Sequence, residues 1–142
     1  IFDVVSFDVN NINNYDLMIL GHSTIGAEDW VDAKADNEWN AFFRKIEAID
    51  NKKIIAASFG LGDQVLYPDH FVDSLGIYKE EMDKLNIKTI GCWPTEGYSY
   101  TDSDGEKDGN FFGLALDVDN EPELSEERIA SWCSEIKTKL DL

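Results

Sequence analysis

Short apolar runs without alternating polar positions mark the candidate strands of this sequence. They are Val4–Phe7, Leu17–Leu20, Ile54–Phe59, Thr89–Trp93 and Phe111–Leu116. Unbroken apolar runs are typical of strands that helices cover on both faces of a parallel sheet. The strand pattern therefore predicts a parallel sheet.

Three stretches between these runs carry apolar residues at helical spacing. The three stripes comprise Trp39, Phe42, Phe43, Ile46 and Ile49; Phe71, Leu75, Tyr78, Met82 and Leu85; and Ile129, Trp132, Cys133, Ile136 and Leu140. Ser125 is placed to cap the third helix, with Glu126 and Glu127 in its first turn. The alternation of strands and helices predicts an α/β fold, as a single domain over residues 1–142.

The segment from Thr95 to Asn110 interrupts this alternation. It is rich in Gly, Asp, Ser and Tyr, and we interpret it as an insertion within the last strand. Its acidic residues do not follow the spacing of a calcium loop, which needs Gly at the sixth position and Glu at the twelfth. Counted from Asp102, these positions hold Lys107 and Gly113. The pattern favours a solvated acidic loop.

Charge and cysteine content narrow the possible partners and compartment. The 142 residues include 12 Lys and Arg against 29 Asp and Glu, a formal net charge of −17. Such a surface repels nucleic acid and anionic lipid but attracts a basic protein partner. The apolar runs are too short to span a bilayer. Cys92 and Cys133 are too few for a disulfide framework, which predicts a cytoplasmic protein, and both are expected to be buried thiols.

Candidate chemistry lies in the loops that follow Leu20 and Phe59. In open parallel sheets, ligands bind beyond the carboxyl ends of the strands, where the strand order reverses. The first loop covers residues 21–30 and the second covers residues 60–69. Both combine glycines and hydrogen-bonding groups with an apolar or aromatic residue suited to lie flat against a ring.

Three motifs in these loops and near the C-terminus resemble those of flavodoxins. They are Gly21-x-Ser23-Thr24-Ile25-Gly26, Gly60-x-Gly62-Asp63-Gln64-x-x-Tyr67, and Gly109-x-Phe111-x-Gly113-Leu114-Ala115-Leu116-Asp117-x-Asp119-Asn120. The insertion from Thr95 to Asn110 is similar to that of the long-chain subgroup. The resemblance covers essentially the whole chain and implies a flavodoxin-like, doubly wound parallel sheet of five strands in the order 2-1-3-4-5.

The resemblance implies a low-potential one-electron carrier that binds FMN non-covalently and is not an enzyme. It implies a monomer whose partners are a ferredoxin-NADP-type reductase and ferredoxin-type electron acceptors. Two alternatives stay open, namely a flavodoxin-like protein-binding module without cofactor and an FMN-dependent quinone reductase. The first would be colourless. The second needs room over the flavin ring, which a stacked Tyr67 would block.

By the same resemblance, the two loops would hold the isoalloxazine ring of FMN between them. Tyr67 corresponds to the aromatic residue that stacks on the outer face of the ring, and Ile25 falls at the inner-face position. Gly26 takes the position whose carbonyl turns toward flavin N5 on one-electron reduction. Glycine suits this peptide flip because it adopts backbone angles that other residues resist.

Polar contacts to FMN are implied for six further residues. Backbone groups on the pyrimidine side of the ring would come from Leu61, Gly62 and Asp63. Ser23 and Thr24 would approach the ribityl chain and the phosphate, and His70 would be a neighbour of the ribityl chain. Asp63 is expected to bond backbone groups and not to act as an acid or base.

The phosphate loop of the family has no counterpart in these residues. In flavodoxins this Thr-, Ser- and Gly-rich loop lies between the first strand and the first helix, and the resemblance begins only at the second strand. We therefore expect these 142 residues to be an N-terminally truncated part of a longer protein. By themselves they are expected to bind FMN weakly or not at all, because its phosphate would lack a nest of backbone donors.

Overall fold

Three parallel strands form the main sheet of the computed structural model, which describes residues 1–23, 37–50 and 53–141. They are β1 (Leu17–His22), β2 (Ile55–Leu61) and β6 (Leu114–Leu116), in the order β1-β2-β6. β1 pairs with β2 along its whole length, and His22 at its end lies opposite Gly60. The end of β2 pairs with β6. The predicted parallel sheet is confirmed.

The three predicted helices are also confirmed. They are α1 (Glu38–Glu47), α2 (Ser74–Lys84) and α3 (Pro122–Lys139). α3 begins earlier than the sequence suggested because Pro122 suits the first helical turn. Ser125 therefore lies inside α3, where its hydroxyl donates to the Glu121 carbonyl. The prediction that Ser125 caps this helix is wrong.

The predicted strand at Val4–Phe7 is wrong. Residues 4–6 form a turn, and a 3-10 helix follows over Val9–Asn14. The Asp3 carboxylate accepts the Val5 N–H, and the Asp8 carboxylate accepts the Asn10 N–H at the start of the 3-10 helix. Such local side-chain bonds satisfy backbone groups that a strand would pair with a neighbour. Val4 and Phe7 still pack against the core. The apolar pattern therefore indicated contact with the core, but it did not indicate the backbone conformation.

The insertion divides the last strand of the sheet into two parts, as predicted. Before the insertion, the chain at Thr89 forms a single parallel bridge to Ala56. After the insertion, β6 pairs with the other end of β2. Between these parts lie β3 (Trp93–Pro94), β4 (Glu106–Lys107) and β5 (Asn110–Phe111), an antiparallel sheet in the order β3-β5-β4. Of the predicted strand Thr89–Trp93, only Thr89 forms a bridge to the parallel sheet, and Trp93 belongs to the antiparallel strand β3.

The hydrophobic core consists of three clusters that fix the insertion and the helices to the sheet. The first unites the 3-10 segment with α1 and α2, and the second unites α3 with the sheet. The third lies under the insertion, where the Phe71 ring contacts Tyr98, Tyr100 and Phe111. Cys133 is half-buried but Cys92 is exposed, so the expectation of a buried thiol at Cys92 is wrong.

Candidate functional site

Three consecutive large apolar side chains face solvent in the loop between β2 and α2. Val65 is 65% exposed, Leu66 is 71% exposed and Tyr67 is 58% exposed. Exposed apolar side chains grouped in one loop of a highly charged chain make this loop a candidate binding surface. The loop leaves the carboxyl end of a parallel strand, where ligands of such sheets bind.

Asp63 folds the turn that carries these side chains. One carboxylate oxygen, Oδ1, accepts the N–H groups of Val65 at 2.9 Å and Leu66 at 2.8 Å, and Nδ2 of Asn120 at 2.8 Å. The Asp63 carbonyl also accepts the Tyr67 N–H at 3.0 Å. The hydrogen bonds from Leu66 and then Asn120 lower the pKa of Asp63. The sequence-based expectation that Asp63 bonds backbone groups is confirmed.

A second hydrogen-bond network connects this loop to the turn between β6 and α3 and to the insertion. The Asp117 carboxylate is fully buried and accepts the Gln64 N–H at 3.0 Å and the Asn120 N–H at 3.0 Å. The Gln64 side chain in turn accepts the Ser99 N–H at 2.5 Å. Gln64, Asp117 and Asn120 belong to the flavodoxin-like motifs, but no role was predicted for them from the sequence. The Asp-x-x-Asn spacing, which suits a side-chain-capped turn, was the available signal.

Packing behind the loop requires glycine at position 62 and leaves little room for a side chain at position 60. A Cβ on Gly62 would lie 2.8 Å from the Phe71 ring and 2.9 Å from Cγ1 of Val72, and a Cβ on Gly60 would lie 3.2 Å from Cγ of Leu75. The Gly62 N–H donates to the Leu116 carbonyl at 2.9 Å and is committed to the sheet. The Asp63 N–H, by contrast, makes no hydrogen bond within the described parts of the chain. As far as the described residues show, the Asp63 N–H is therefore a backbone donor that a ligand could use.

His70 is exposed at the end of the same loop and is held by Asp73. Its Nδ1 lies 2.9 Å from Oδ2 of Asp73, whose other oxygen accepts the Asp104 N–H at 2.8 Å. The Asp73 side chain is buried, whereas the His70 side chain is 61% exposed. The hydrogen bond to Asp73 raises the pKa of His70. A contact between His70 and a ribityl chain stays a prediction.

The first loop begins beside the second one, because His22 and Gly60 are register partners at the ends of β1 and β2. Ser23 is exposed, and its carbonyl accepts the Ser74 hydroxyl at 3.1 Å. Thr24, Ile25 and Gly26 lie outside the described residues. The predicted arrangement of Ile25 and Tyr67 on opposite faces of a ring therefore stays a prediction.

Neither a metal-binding cluster nor a membrane-spanning helix is found in the part of the chain that the structure describes. No group of three or more His, Cys, Asp or Glu side chains in residues 1–23, 37–50 and 53–141 is arranged to hold a metal ion. The same ranges hold no helix with the length and apolar character needed to cross a bilayer.

Comparisons with known proteins agree with the motifs. A family model described as Flavodoxin matches residues 1–132. The chain is similar to the flavodoxin of Picosynechococcus sp., with 38% identity over all of this chain and 81% of the relative. It is similar to the flavodoxin of Synechocystis sp. at 42% identity, over 95% of this chain and 76% of the relative.

A solved structure extends this similarity to the fold. The crystal structure of Fusobacterium nucleatum flavodoxin bound to flavin mononucleotide superposes with a TM-score of 0.75 at 30% identity, covering 94% of this chain and 79% of that one. The predicted flavodoxin-like fold is confirmed, whereas assignment to the long-chain subgroup stays a prediction. The chain belongs to the flavodoxin family.

Proposed function

We propose that the loops following β1 and β2 hold FMN, with Tyr67 stacked on the outer face of its ring. As a flavodoxin, the chain is an FMN-based electron carrier and not an enzyme. The observation that carries the proposed site is the exposed Tyr67 ring on a turn that Asp63 and Asp117 hold in place. An aromatic side chain left in solvent on a rigid turn is suited to stacking on a planar ligand.

The described residues fit the ring of this cofactor. The free Asp63 N–H is a donor for a ring carbonyl, and the Leu61 and Gly62 backbone at the end of β2 lies beside it. Val65 and Leu66 add apolar surface next to Tyr67. The inner face is assigned to Ile25, and the backbone carbonyl near flavin N5 to Gly26. The ribityl and phosphate contacts are assigned to Ser23 and Thr24, and a further contact with the ribityl chain to His70.

Bound FMN supplies a centre that accepts and releases single electrons. The protein sets how readily each electron is added. An aromatic face and the formal charge of −17 both disfavour extra negative charge on the ring, so the second reduction should take place at low potential. Glycine at position 26 permits a backbone change that stabilises only one redox state.

Titration of the apoprotein with riboflavin and FMN tests the ring site. We expect both ligands to bind weakly and with similar affinity, because the ring-binding loops are present whereas the sequence has no counterpart of the family's phosphate loop beyond the contacts assigned to Ser23 and Thr24. The measurements are quenching of flavin fluorescence and a change in the visible spectrum. Absence of binding by either flavin would contradict the ring site, and tight binding of both would contradict the expected dependence on phosphate donors.

We further propose specific redox partners for this carrier, namely a ferredoxin-NADP-type reductase and ferredoxin-type acceptors met in the cytoplasm by the monomer. An electron carrier requires partners that deliver and remove electrons. The proposed docking surface is a groove of about 740 Å³ between α2 and the insertion. Its lining has more acidic than basic side chains, and this excess supports a basic partner. The acidic residues are Asp73, Glu80, Asp83, Asp104 and Glu106, and the basic ones are Lys79 and Lys107.

Neutralising the acidic insertion should slow association with such a reductase. We expect the triple variant Asp102→Asn, Asp104→Asn, Glu106→Gln to lower the association rate constant by about three- to tenfold at low ionic strength, because long-range attraction steers the encounter. The difference should shrink at high salt. Stopped-flow absorbance would measure the rate. The matched control carries the same charge change on α3, as Glu123→Gln, Glu126→Gln, Glu127→Gln; an equal effect in both variants would reject a local docking surface.

A further inference from the structure

His22 is a buried imidazole held between two serine hydroxyls. It is the last residue of β1 and is 6% exposed. Its Nε2 lies 2.9 Å from Oγ of Ser58 on β2, and its Nδ1 lies 2.8 Å from Oγ of Ser74, the first residue of α2. The ring is also confined by Trp39, which meets it edge-on with centroids 5.7 Å apart. One side chain thus connects two strands and a helix.

Each serine oxygen in this network also lies near a main-chain carbonyl. Oγ of Ser58 is 3.0 Å from the Leu20 carbonyl oxygen, and Oγ of Ser74 is 3.1 Å from the Ser23 carbonyl oxygen. Leu20 lies inside the part of β1 that is paired with β2, whereas Ser23 lies beyond the end of that strand. Among the described residues, the Ser74 hydroxyl is thus the donor placed at the Ser23 carbonyl, whereas the Leu20 carbonyl lies within the paired part of β1.

The number of protons in the network limits which contacts are hydrogen bonds. Burial lowers the pKa of His22 to about 4, so the ring is neutral at pH 7 and has one N–H. Two hydroxyl protons and one ring proton then serve four contacts, and one contact has no proton. If Nδ1 carries the ring proton, it donates to Ser74, and the Ser74 hydroxyl is directed to Ser23. Ser58 then donates to Nε2.

We infer that His22 is a positioning residue for the flavin loop, because its Nδ1–H tautomer directs the Ser74 hydroxyl onto the Ser23 carbonyl. That carbonyl belongs to the peptide between Ser23 and Thr24, at the start of the proposed ribityl and phosphate contacts. His22 touches no flavin in this arrangement and acts only through Ser74. The inference rests on the proposed FMN site.

Substitutions that keep a nitrogen at only one of the two ring positions distinguish a positioning role of His22 from a general contribution to the stability of the fold. The amide nitrogen of Asn can replace the Nδ1 donor, whereas Gln reaches the Nε2 position. We expect His22→Gln and Ser74→Ala to weaken riboflavin binding by about tenfold, equivalent to about 1.4 kcal/mol. His22→Asn and the matched control Ser58→Ala should remain within about threefold of the wild type. Fluorescence titration measures affinity, and urea unfolding of each apoprotein measures stability.

If the network only stabilised the fold, the variants would be less stable than the wild type. His22→Gln and Ser74→Ala would then not bind riboflavin more weakly than His22→Asn and Ser58→Ala. Equal riboflavin affinity in Ser74→Ala and the wild type would overturn this inference but not the proposed function. Failure of the wild type to bind either flavin would instead overturn the proposed function. Nitrogen-15 NMR of the apoprotein tests the tautomer independently of any flavin. We expect a protonated Nδ1 and an unprotonated Nε2 for His22, and the opposite tautomer would also overturn the inference.

Discussion

Replacement of Tyr67 by Ala is expected to weaken flavin binding by about ten- to a hundredfold. Stacking of an aromatic side chain on a planar heterocycle contributes about 1–3 kcal/mol, and about 1.4 kcal/mol corresponds to a factor of ten in affinity. Because Tyr67 is 58% exposed, its removal leaves no large core cavity. The free energy of unfolding should therefore change by no more than about 0.5 kcal/mol. The two effects are separable by titration and by urea unfolding.

Two variants control for this prediction. Tyr67→Phe keeps the ring and should retain affinity within a few-fold, whereas Val65→Ala removes an exposed apolar neighbour without removing the aromatic face. Loss of the aromatic face should also raise the second reduction potential. The rise is about 59 mV for each 1.4 kcal/mol by which the free-energy difference between the two redox states changes. Wild-type affinity in Tyr67→Ala would refute the stacking role and with it the proposed site.

Replacement of Asp117 by Ala is expected to lower the free energy of unfolding by about 2–4 kcal/mol. The carboxylate is fully buried and accepts hydrogen bonds from Gln64 and Asn120. Its loss leaves the buried Gln64 N–H without an acceptor, and an unsatisfied buried donor costs about 1–3 kcal/mol in addition to the lost charged bonds. Urea denaturation of the apoprotein would measure the change.

The same substitution should weaken flavin binding, because the turn that carries Tyr67 loses its attachment to the Asp117–Asn120 turn between β6 and α3. Asp117→Asn keeps one acceptor oxygen and should cost less than Asp117→Ala. Asp119→Asn changes an exposed neighbour and should leave stability within about 0.5 kcal/mol of the wild type. If Asp117→Ala had the same urea midpoint of unfolding as the wild type, the idea that the Asp117 network stabilises the loop would be wrong.

The helices were predictable because their apolar positions repeat at a spacing that only a helix brings to one face. The stripe through Phe42, Phe43 and Ile46 became the buried face of α1. The apolar run at Val4–Phe7 gave no such distinction, since a short apolar run fits a strand or a packed turn equally well. There the carboxylates of Asp3 and Asp8 decided the backbone conformation.

The site was predictable as a pair of loops but not as a network. The carboxyl ends of β1 and β2 were expected to meet, and the register of His22 with Gly60 brings them together. The bonds that hold the second loop join distant residues, such as Gln64 to Ser99 and Asp63 to Asn120, which are 35 and 57 positions apart. No local pattern specifies which distant donor meets a given carboxylate.

By itself, the order of residues determined the alternating α/β arrangement, the acidic surface and the motifs of the second loop, since these depend on spacing and composition within short segments. Only the tertiary structure decided that the glycines of that loop accommodate Phe71, Val72 and Leu75, and that His22 lies between Ser58 and Ser74. The physical reason is that burial and hydrogen-bond partners belong to the packed chain, where residues far apart in sequence compete for the same few donors and acceptors.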